Sequence, residues 1–186
     1  MKICGRAGAT GTAQVGVRQG CPLSPALFGL FFDDLYSQLQ SDCPSAGVEC
    51  RGTRIPSLFY ADDVALLSAS AQGLQQLLDS MQSFCAANGL TISIPKTEIV
   101  VFGGGHHDCV WKVAGQHLKR SKSFTYLGML FHEDGKIRHA ASPLQQGLRL
   151  CGVHLSPIFS AAMCELGTAI SQVAAGHLAA LCLVRL

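Results

Sequence analysis

The sequence predicts an α+β domain, an antiparallel sheet with helices on one face. Strand and helix patterns alternate without the regular β-α-β rhythm of a doubly wound fold, two neighbouring apolar runs indicate a hairpin, and several segments have helical periodicity. The chain has 186 residues, of which 48% are hydrophobic. It is therefore long enough to bury a core, and this composition argues against disorder.

The first predicted element is a helix from Pro25 to Gln40. Ser24 can cap this helix, Pro25 suits its first position, and apolar residues follow at helical spacing. The next segment, residues 42–56, contains two prolines and two glycines. It is predicted to be a loop with one short strand at residues 47–50.

Two adjacent acids, Asp62 and Asp63, stand between two apolar runs, residues 57–60 and 64–67. The pattern predicts a hairpin with the acids at its tip. Carboxylates in this position are costly to desolvate unless a cation or water compensates them. The pair therefore indicates a metal site, although adjacent acids at a turn are more often simply solvated.

An amphipathic helix is predicted next, because apolar residues from Leu74 to Phe84 recur at helical spacing and Asn88 with Gly89 supplies its end. From Ala140 the pattern is helical again, in one segment that includes Leu144 to Cys151 and in a second from Ile158 to Leu181. Alternating or β-branched runs predict the remaining strands, at residues 90–94, 98–102, 110–113 and 124–131.

Composition argues against several classes of protein. The net charge of +2 is too small to indicate tight, autonomous nucleic-acid binding. Nine cysteines without a Cys-x-x-Cys pair, and an N-terminus without an apolar signal segment, favour an intracellular protein of the nucleus or cytoplasm over a secreted one. Polar residues interrupt the Ala-rich tail before a run of about 18 apolar residues is reached, so no membrane association is expected.

Three further motifs accompany the Tyr60 to Asp63 box: Gln19 to Phe28 before it, then Gly89 to Phe102 and Phe124 to Leu130 after it. This ordered set resembles motifs B to E of the reverse transcriptases of non-LTR (LINE-type) retrotransposons. The resemblance implies that residues 1–135 form a partial palm of a right-hand polymerase. Residues 136–186 are then expected to form the start of a helical thumb or a connection segment.

The resemblance also implies a chemistry, in which two Mg²⁺ ions support DNA synthesis from an RNA template, a DNA primer and dNTPs. It makes Asp62 the principal metal ligand and Asp63 the second acid, and it places Lys96 beside the departing pyrophosphate. Taken singly, a loop lysine is usually a solvated charge. The implied substrate-binding residues are Gln19 and Gly20 at the nucleotide, Tyr60 at the primer terminus, and Tyr126, Leu127 and Gly128 at the turn that holds the primer end.

The family's motif A, a strand with a further metal-binding Asp, should precede motif B, yet no Asp or Glu occurs before Asp33. An N-terminal polymerase segment is therefore expected to be missing. Since positioning and charge neutralisation dominate this catalysis, the isolated chain is expected to be inactive. Three hypotheses stay open: an inactive reverse transcriptase fragment, a non-catalytic module that binds nucleic acid or protein, and a chain completed in trans or representing a partial gene model.

Overall fold

The computed structural model describes residues 22–50, 52–60, 63–102, 109–126, 129–134, 137–139 and 179–185. These residues form an α+β fold, as predicted. The helices are α1 (Ser24–Asp42) and α2 (Ala71–Ala87), with a 3₁₀ turn at Ile94–Lys96. The strands are β1 (Val48–Cys50), β2 (Thr53–Ile55), β3 (Ser57–Tyr60), β4 (Asp63–Ser68), β5 (Glu98–Phe102), β6 (Lys112–Val113), β7 (Gln116–His117), β8 (Lys119–Arg120), β9 (Ser123–Tyr126), β10 (Met129–His132), β11 (Ile137–His139) and β12 (Ala179–Arg185).

The central sheet has five strands in the order β3-β4-β12-β5-β8. Adjacent strands of this sheet are antiparallel, except that β5 and β8 run parallel to each other. Strand β12 is the central strand and pairs with β4 from Ala180 to Arg185, and with β5 from Ala179 to Leu183. The sheet therefore depends on its most C-terminal strand for continuity.

Alternate side chains of β4, β5 and β12 point to opposite faces, as the two-residue period of a strand requires. On one face they form a core with α1 and α2. On the other they pack against β9 and β10, which belong to the three-stranded sheet β11-β10-β9. Both described helices thus pack on the same face, and that face carries Val64, Leu66, Ile99, Val101, Ala180, Cys182 and Val184.

Helix α1 begins one residue earlier than predicted. The Leu27 N–H donates to the Leu23 carbonyl at 3.0 Å, so the first turn already includes Ser24, and the predicted cap at Ser24 is wrong. Pro in the first turn is confirmed. Helix α2 ends at its cap residue Asn88, as predicted, and starts where the Ser70 hydroxyl accepts a hydrogen bond from the Gly73 N–H at 3.0 Å.

The strand predicted at residues 90–94 is wrong. The Ser93 N–H donates to the Arg185 carbonyl at 2.8 Å, and the Thr97 hydroxyl donates to the Ser93 carbonyl at 2.9 Å. These bonds curl the chain into the 3₁₀ turn, where Pro95 has no N–H for a ladder. Two other strand predictions are corrected in length: residues 110–113 contain only β6, and residues 124–131 form the hairpin β9-β10.

The helical pattern predicted to reach Leu181 is wrong at its end, because residues 179–185 form β12. Strands β4 and β5 offer backbone partners on both sides of this segment, and such pairing overrides local propensity. Residues 140–178, where the helical thumb-like segment is expected, lie outside the described residues, so the division at residue 135 stays a prediction. None of the helices in the described parts of the chain is long and apolar enough to cross a membrane.

Candidate functional site

The predicted hairpin is present as β3 and β4, with Tyr60 paired to Asp63 at its end. Residues 61 and 62, which connect the strands, lie outside the described residues, as does the Tyr60 side chain. The next four residues of β4, Val64 to Leu67, are at most 1% exposed. The Asp63 side chain is 25% exposed, so β4 passes from solvent into the core between Asp63 and Val64.

Asp63 forms an ion pair with Arg185, a residue that the sequence patterns do not indicate. In the register of the sheet, Arg185 of β12 lies opposite Asp63, and its Nε atom is 3.0 Å from Asp63 Oδ1. The Nε–H does not point at this oxygen, and among the described residues it has no aligned acceptor. The contact is therefore an ion pair without a hydrogen bond from Nε.

The backbone of Arg185 also ties down the turn that carries Lys96. Its carbonyl accepts the Ser93 N–H, and the Lys96 N–H closes the same turn by donating to the Ser93 carbonyl at 3.1 Å. Thr97, fully buried, braces the turn from inside. The exposed Lys96 is thus presented at the end of the sheet that bears Asp63, with Arg185 between them.

Glu98, at the start of β5, adds a second acid at this end of the sheet. Lys119 Nζ lies 2.7 Å from Glu98 Oε1. The pKa of the Glu98 carboxyl is lowered, chiefly by the hydrogen bond from Lys119. Partial burial acts in the opposite direction and raises the pKa. A hydrogen bond from Ser121 and the charges of Lys119 and Arg185 lower it further. Arg185 therefore interacts electrostatically with both acids.

We expect Glu98→Gln to lower the free energy of unfolding at neutral pH by at most about 1 kcal/mol, because the Lys119 side chain is 68% exposed. A lowered carboxyl pKa stabilises the fold above the unfolded-state pKa, and this stability is lost as the pH falls through the lowered value. Urea unfolding at about pH 7 and about pH 3 should show the difference between the variant and the parent chain shrinking in acid. A difference that does not change with pH would contradict this account.

The described residues do not by themselves form a site for Mg²⁺. No three His, Cys, Asp or Glu side chains that could hold a metal ion lie together among them. Mg²⁺ requires near-octahedral oxygen coordination, whereas the described part of the acid pair offers one carboxylate, Asp63, which already contacts a guanidinium. Asp62, the predicted principal ligand, lies outside the described residues.

The other predicted substrate-binding residues are separated from this group or are not described. Tyr126 ends β9 and is 2% exposed, inside the core on the far face of the sheet, near the stacked rings of Phe124 and Phe131. Gln19, Gly20, Leu127 and Gly128 lie outside the described residues. The structure thus brings Asp63 and the Lys96 turn together through Arg185, and it buries the Tyr126 ring.

Sequence reasoning missed Arg185 because its partner is more than a hundred positions away along the chain. The available local signal is a single cation that ends an apolar run, Ala179 to Val184. Such a run can end a buried strand as well as a helix, and periodicity alone does not separate the two. The ion pair follows from the register of β12 on β4, which the sequence does not reveal.

Comparison with known proteins gives a consistent result. The family model described as "Reverse transcriptase (RNA-dependent DNA polymerase)" matches residues 4–131. A Pol polyprotein of the type-2 retrotransposable element R2DM of Drosophila melanogaster is 32% identical over 66% of this chain and 12% of its own length. An R2 Pol polyprotein of Popillia japonica is 29% identical over 72% of the chain and 20% of its own length.

A third relative is the RNA-directed DNA polymerase from the mobile element jockey of Drosophila funebris. It is 27% identical over 73% of this chain and 15% of its own length. The chain therefore spans a fifth or less of each of these three relatives.

Proposed function

The chain belongs to the reverse transcriptase (RNA-dependent DNA polymerase) family, as a partial domain of the non-LTR retrotransposon type, and from this premise we propose which part of the polymerase it supplies. The five-stranded sheet with α1 and α2 is the palm, and the β3-β4 hairpin is its catalytic tip. One observation carries the proposal: the box from Tyr60 to Asp63 joins two strands of the central sheet, at the point where β4 leaves the core.

In the whole protein we assign RNA-templated DNA synthesis to this tip, with a DNA primer and dNTPs as substrates. Reverse transcriptases generally use divalent metal ions, and Asp62 and Asp63 are the proposed Mg²⁺ ligands there. The exposed Lys96 is assigned to the pyrophosphate, which its position beside the Asp63 end of the sheet supports. Gln19 and Gly20 are assigned to the nucleotide and Tyr60 to the primer terminus.

We assign the turn that holds the primer end to Tyr126, Leu127 and Gly128. The first of these residues has a different role from the other two. A ring that is 2% exposed cannot stack on a nucleotide without leaving the core. We therefore assign Tyr126 to anchoring the β9-β10 turn, and residues 127 and 128 to contact with the primer. The buried free thiols of Cys43, Cys85 and Cys182 suit a reducing compartment, which supports an intracellular location in the nucleus or cytoplasm.

The 186-residue polypeptide by itself is expected to bind a primer-template without extending it. Asp63 is neutralised by Arg185, and the acids before Asp33 that a third ligand would require do not occur in this sequence. Fluorescence anisotropy with labelled poly(rA)/oligo(dT) should show binding that weakens between about 50 and 200 mM salt. A primer-extension assay with Mg²⁺ on the same substrate should show no product.

Lys96→Gln should weaken this binding by about threefold to tenfold, since it removes one phosphate contact at the tip. Lys112→Gln is the matched control, because Lys112 is an exposed lysine on β6, which packs on the helix side of the sheet. Equal losses in both variants would contradict the assignment of Lys96. Extension that requires Mg²⁺ and disappears in Asp62→Ala would show that the isolated chain is an active polymerase.

A second candidate function is a non-catalytic module derived from a retroelement that binds nucleic acid or protein. The Arg185–Asp63 ion pair favours it, because a neutralised acid at the tip costs catalysis but not backbone binding. Both functions predict salt-sensitive binding without extension by this chain, so Mg²⁺ separates them. Binding that Mg²⁺ strengthens in the parent chain but not in Asp62→Ala supports the polymerase tip, whereas binding that Mg²⁺ and Asp62→Ala leave unchanged supports the non-catalytic module. Loss of all binding to the primer-template would exclude its nucleic-acid form.

A further inference from the structure

Arg185 lies directly against Asp63, with its Nε atom 3.0 Å from Asp63 Oδ1. It is brought there by the sheet itself, because β12 pairs with β4 along its length and the last pair in this register is Arg185 with Asp63. The guanidinium is charged at any ordinary pH, so it offers the Asp63 carboxylate a fixed positive partner. An acid that a metal would otherwise neutralise already has a counter-ion within the chain.

The ion pair is partly open to solvent. The two side chains are 41% and 25% exposed, although the Arg185 Nε atom itself is buried. The contact lacks the aligned hydrogen bond from Nε that would strengthen it, and that atom has no other acceptor among the described residues. Arg185 is held in the sheet through its backbone, by β4 and by the Ser93 N–H, so these backbone bonds do not depend on its side chain.

We propose that Arg185 is an internal counter-ion of Asp63 that competes with a divalent cation for this carboxylate. The inference rests on the proposed metal-binding role of Asp62 and Asp63. A divalent ion must either displace the guanidinium or bind beside a fixed positive charge, and both weaken its binding.

The test uses Mn²⁺ alone as the probe, with the free ion measured by electron paramagnetic resonance. Arg185→Gln and Arg185→Met, which remove the charge, should bind Mn²⁺ about tenfold more tightly than the parent chain. Arg185→Lys keeps the charge and should bind it as weakly as the parent. Adding Asp63→Asn to Arg185→Gln should abolish the gain. Circular dichroism checks that each variant is folded, and two neutral variants guard against the failure of one.

The outcomes separate the two ideas. If Asp62→Ala and Asp63→Asn weaken Mn²⁺ binding by the parent chain but neither neutral variant at position 185 tightens it, the counter-ion role is wrong and the metal role stands. If the parent chain, Asp63→Asn and Arg185→Gln all bind Mn²⁺ equally, both are wrong. If Arg185→Lys tightens binding as much as Arg185→Gln, the effect is not one of charge and the proposal fails.

Discussion

Replacement of Cys182 by Asp is expected to lower the free energy of unfolding by about 4 kcal/mol or more, a large part of the stability of an ordinary domain. Cys182 lies in the middle of the central strand β12, paired with Leu66 of β4 and Ile99 of β5, and it is 0% exposed. A carboxylate there would be buried without a partner, on the face that packs against the helices.

Urea unfolding followed by the fluorescence of Trp111 measures this effect. Trp111 is the only tryptophan of the sequence, is 3% exposed, and belongs to the same core cluster as Cys182. Cys182→Ala is the matched control, expected to cost about 1 kcal/mol because it removes one buried sulfur and adds no polar atom. If both variants unfold at the same urea concentration, position 182 is not in the centre of the sheet.

Chemical labelling gives a second, independent measure of the same strand. Burial raises the pKa of the Cys85 thiol to about 11 and also raises that of Cys182, and neither thiol is accessible to a reagent while the fold is closed. Cys109 is partly exposed and serves as an internal reference. Alkylation of Cys182 therefore reports opening of β12, as distinct from the reactivity of an exposed thiol.

The elements that the sequence predicts well are those whose signals are local. Helix α2 has apolar residues at helical spacing and a stop at Asn88, and all of this information lies within twenty residues. The β3-β4 hairpin is equally local, because its strands are separated by two residues. In both cases the tertiary packing agrees with the local pattern, so the prediction needs no knowledge of distant partners.

The two errors that matter for the site have one cause. Residues 90–94 alternate like a strand, and residues 179–185 continue an Ala-rich, helix-like pattern. Each segment takes its conformation from partners far away along the chain: β12 from β4 and β5, and the turn after Thr91 from the Arg185 carbonyl. Local sequence carries no record of such partners.

The candidate site likewise has a part that the local sequence predicts and a part that depends on tertiary contacts. The sequence places Asp62, Asp63 and Lys96 in motifs, and the hairpin brings Asp63 to the edge of the core as predicted. The counter-ion Arg185 and the tie between β12 and the Lys96 turn are tertiary features. They determine the charge around the described acid of the hairpin, Asp63. A reading of motifs alone therefore identifies the family but misses this local electrostatic control.

Replacement of Phe32 by Ala is expected to lower the free energy of unfolding by about 3–5 kcal/mol and to loosen the β3-β4 hairpin. Phe32 of α1 is 4% exposed, and its ring stacks on Phe59 of β3 at a centroid distance of 5.1 Å. Phe28 meets it edge-on at 4.7 Å, and such aromatic pairs add about 0.5–1.5 kcal/mol to the burial of their area. Because Phe59 directly precedes Tyr60, this cluster fixes the strand that leads into the acid box.

Amide hydrogen exchange should measure the stability lost in Phe32→Ala and show which strands lose it. In Phe32→Ala, exchange in β3 and β4 should accelerate more than exchange in β9 and β10, which pack on the opposite face of the sheet. Phe32→Leu should restore most of the stability, and Leu30→Ala, on the same helix at 64% exposure, should change it by about 0.5 kcal/mol or less. Uniform acceleration throughout the sheet would show that α1 stabilises the fold in general and does not specifically position the tip.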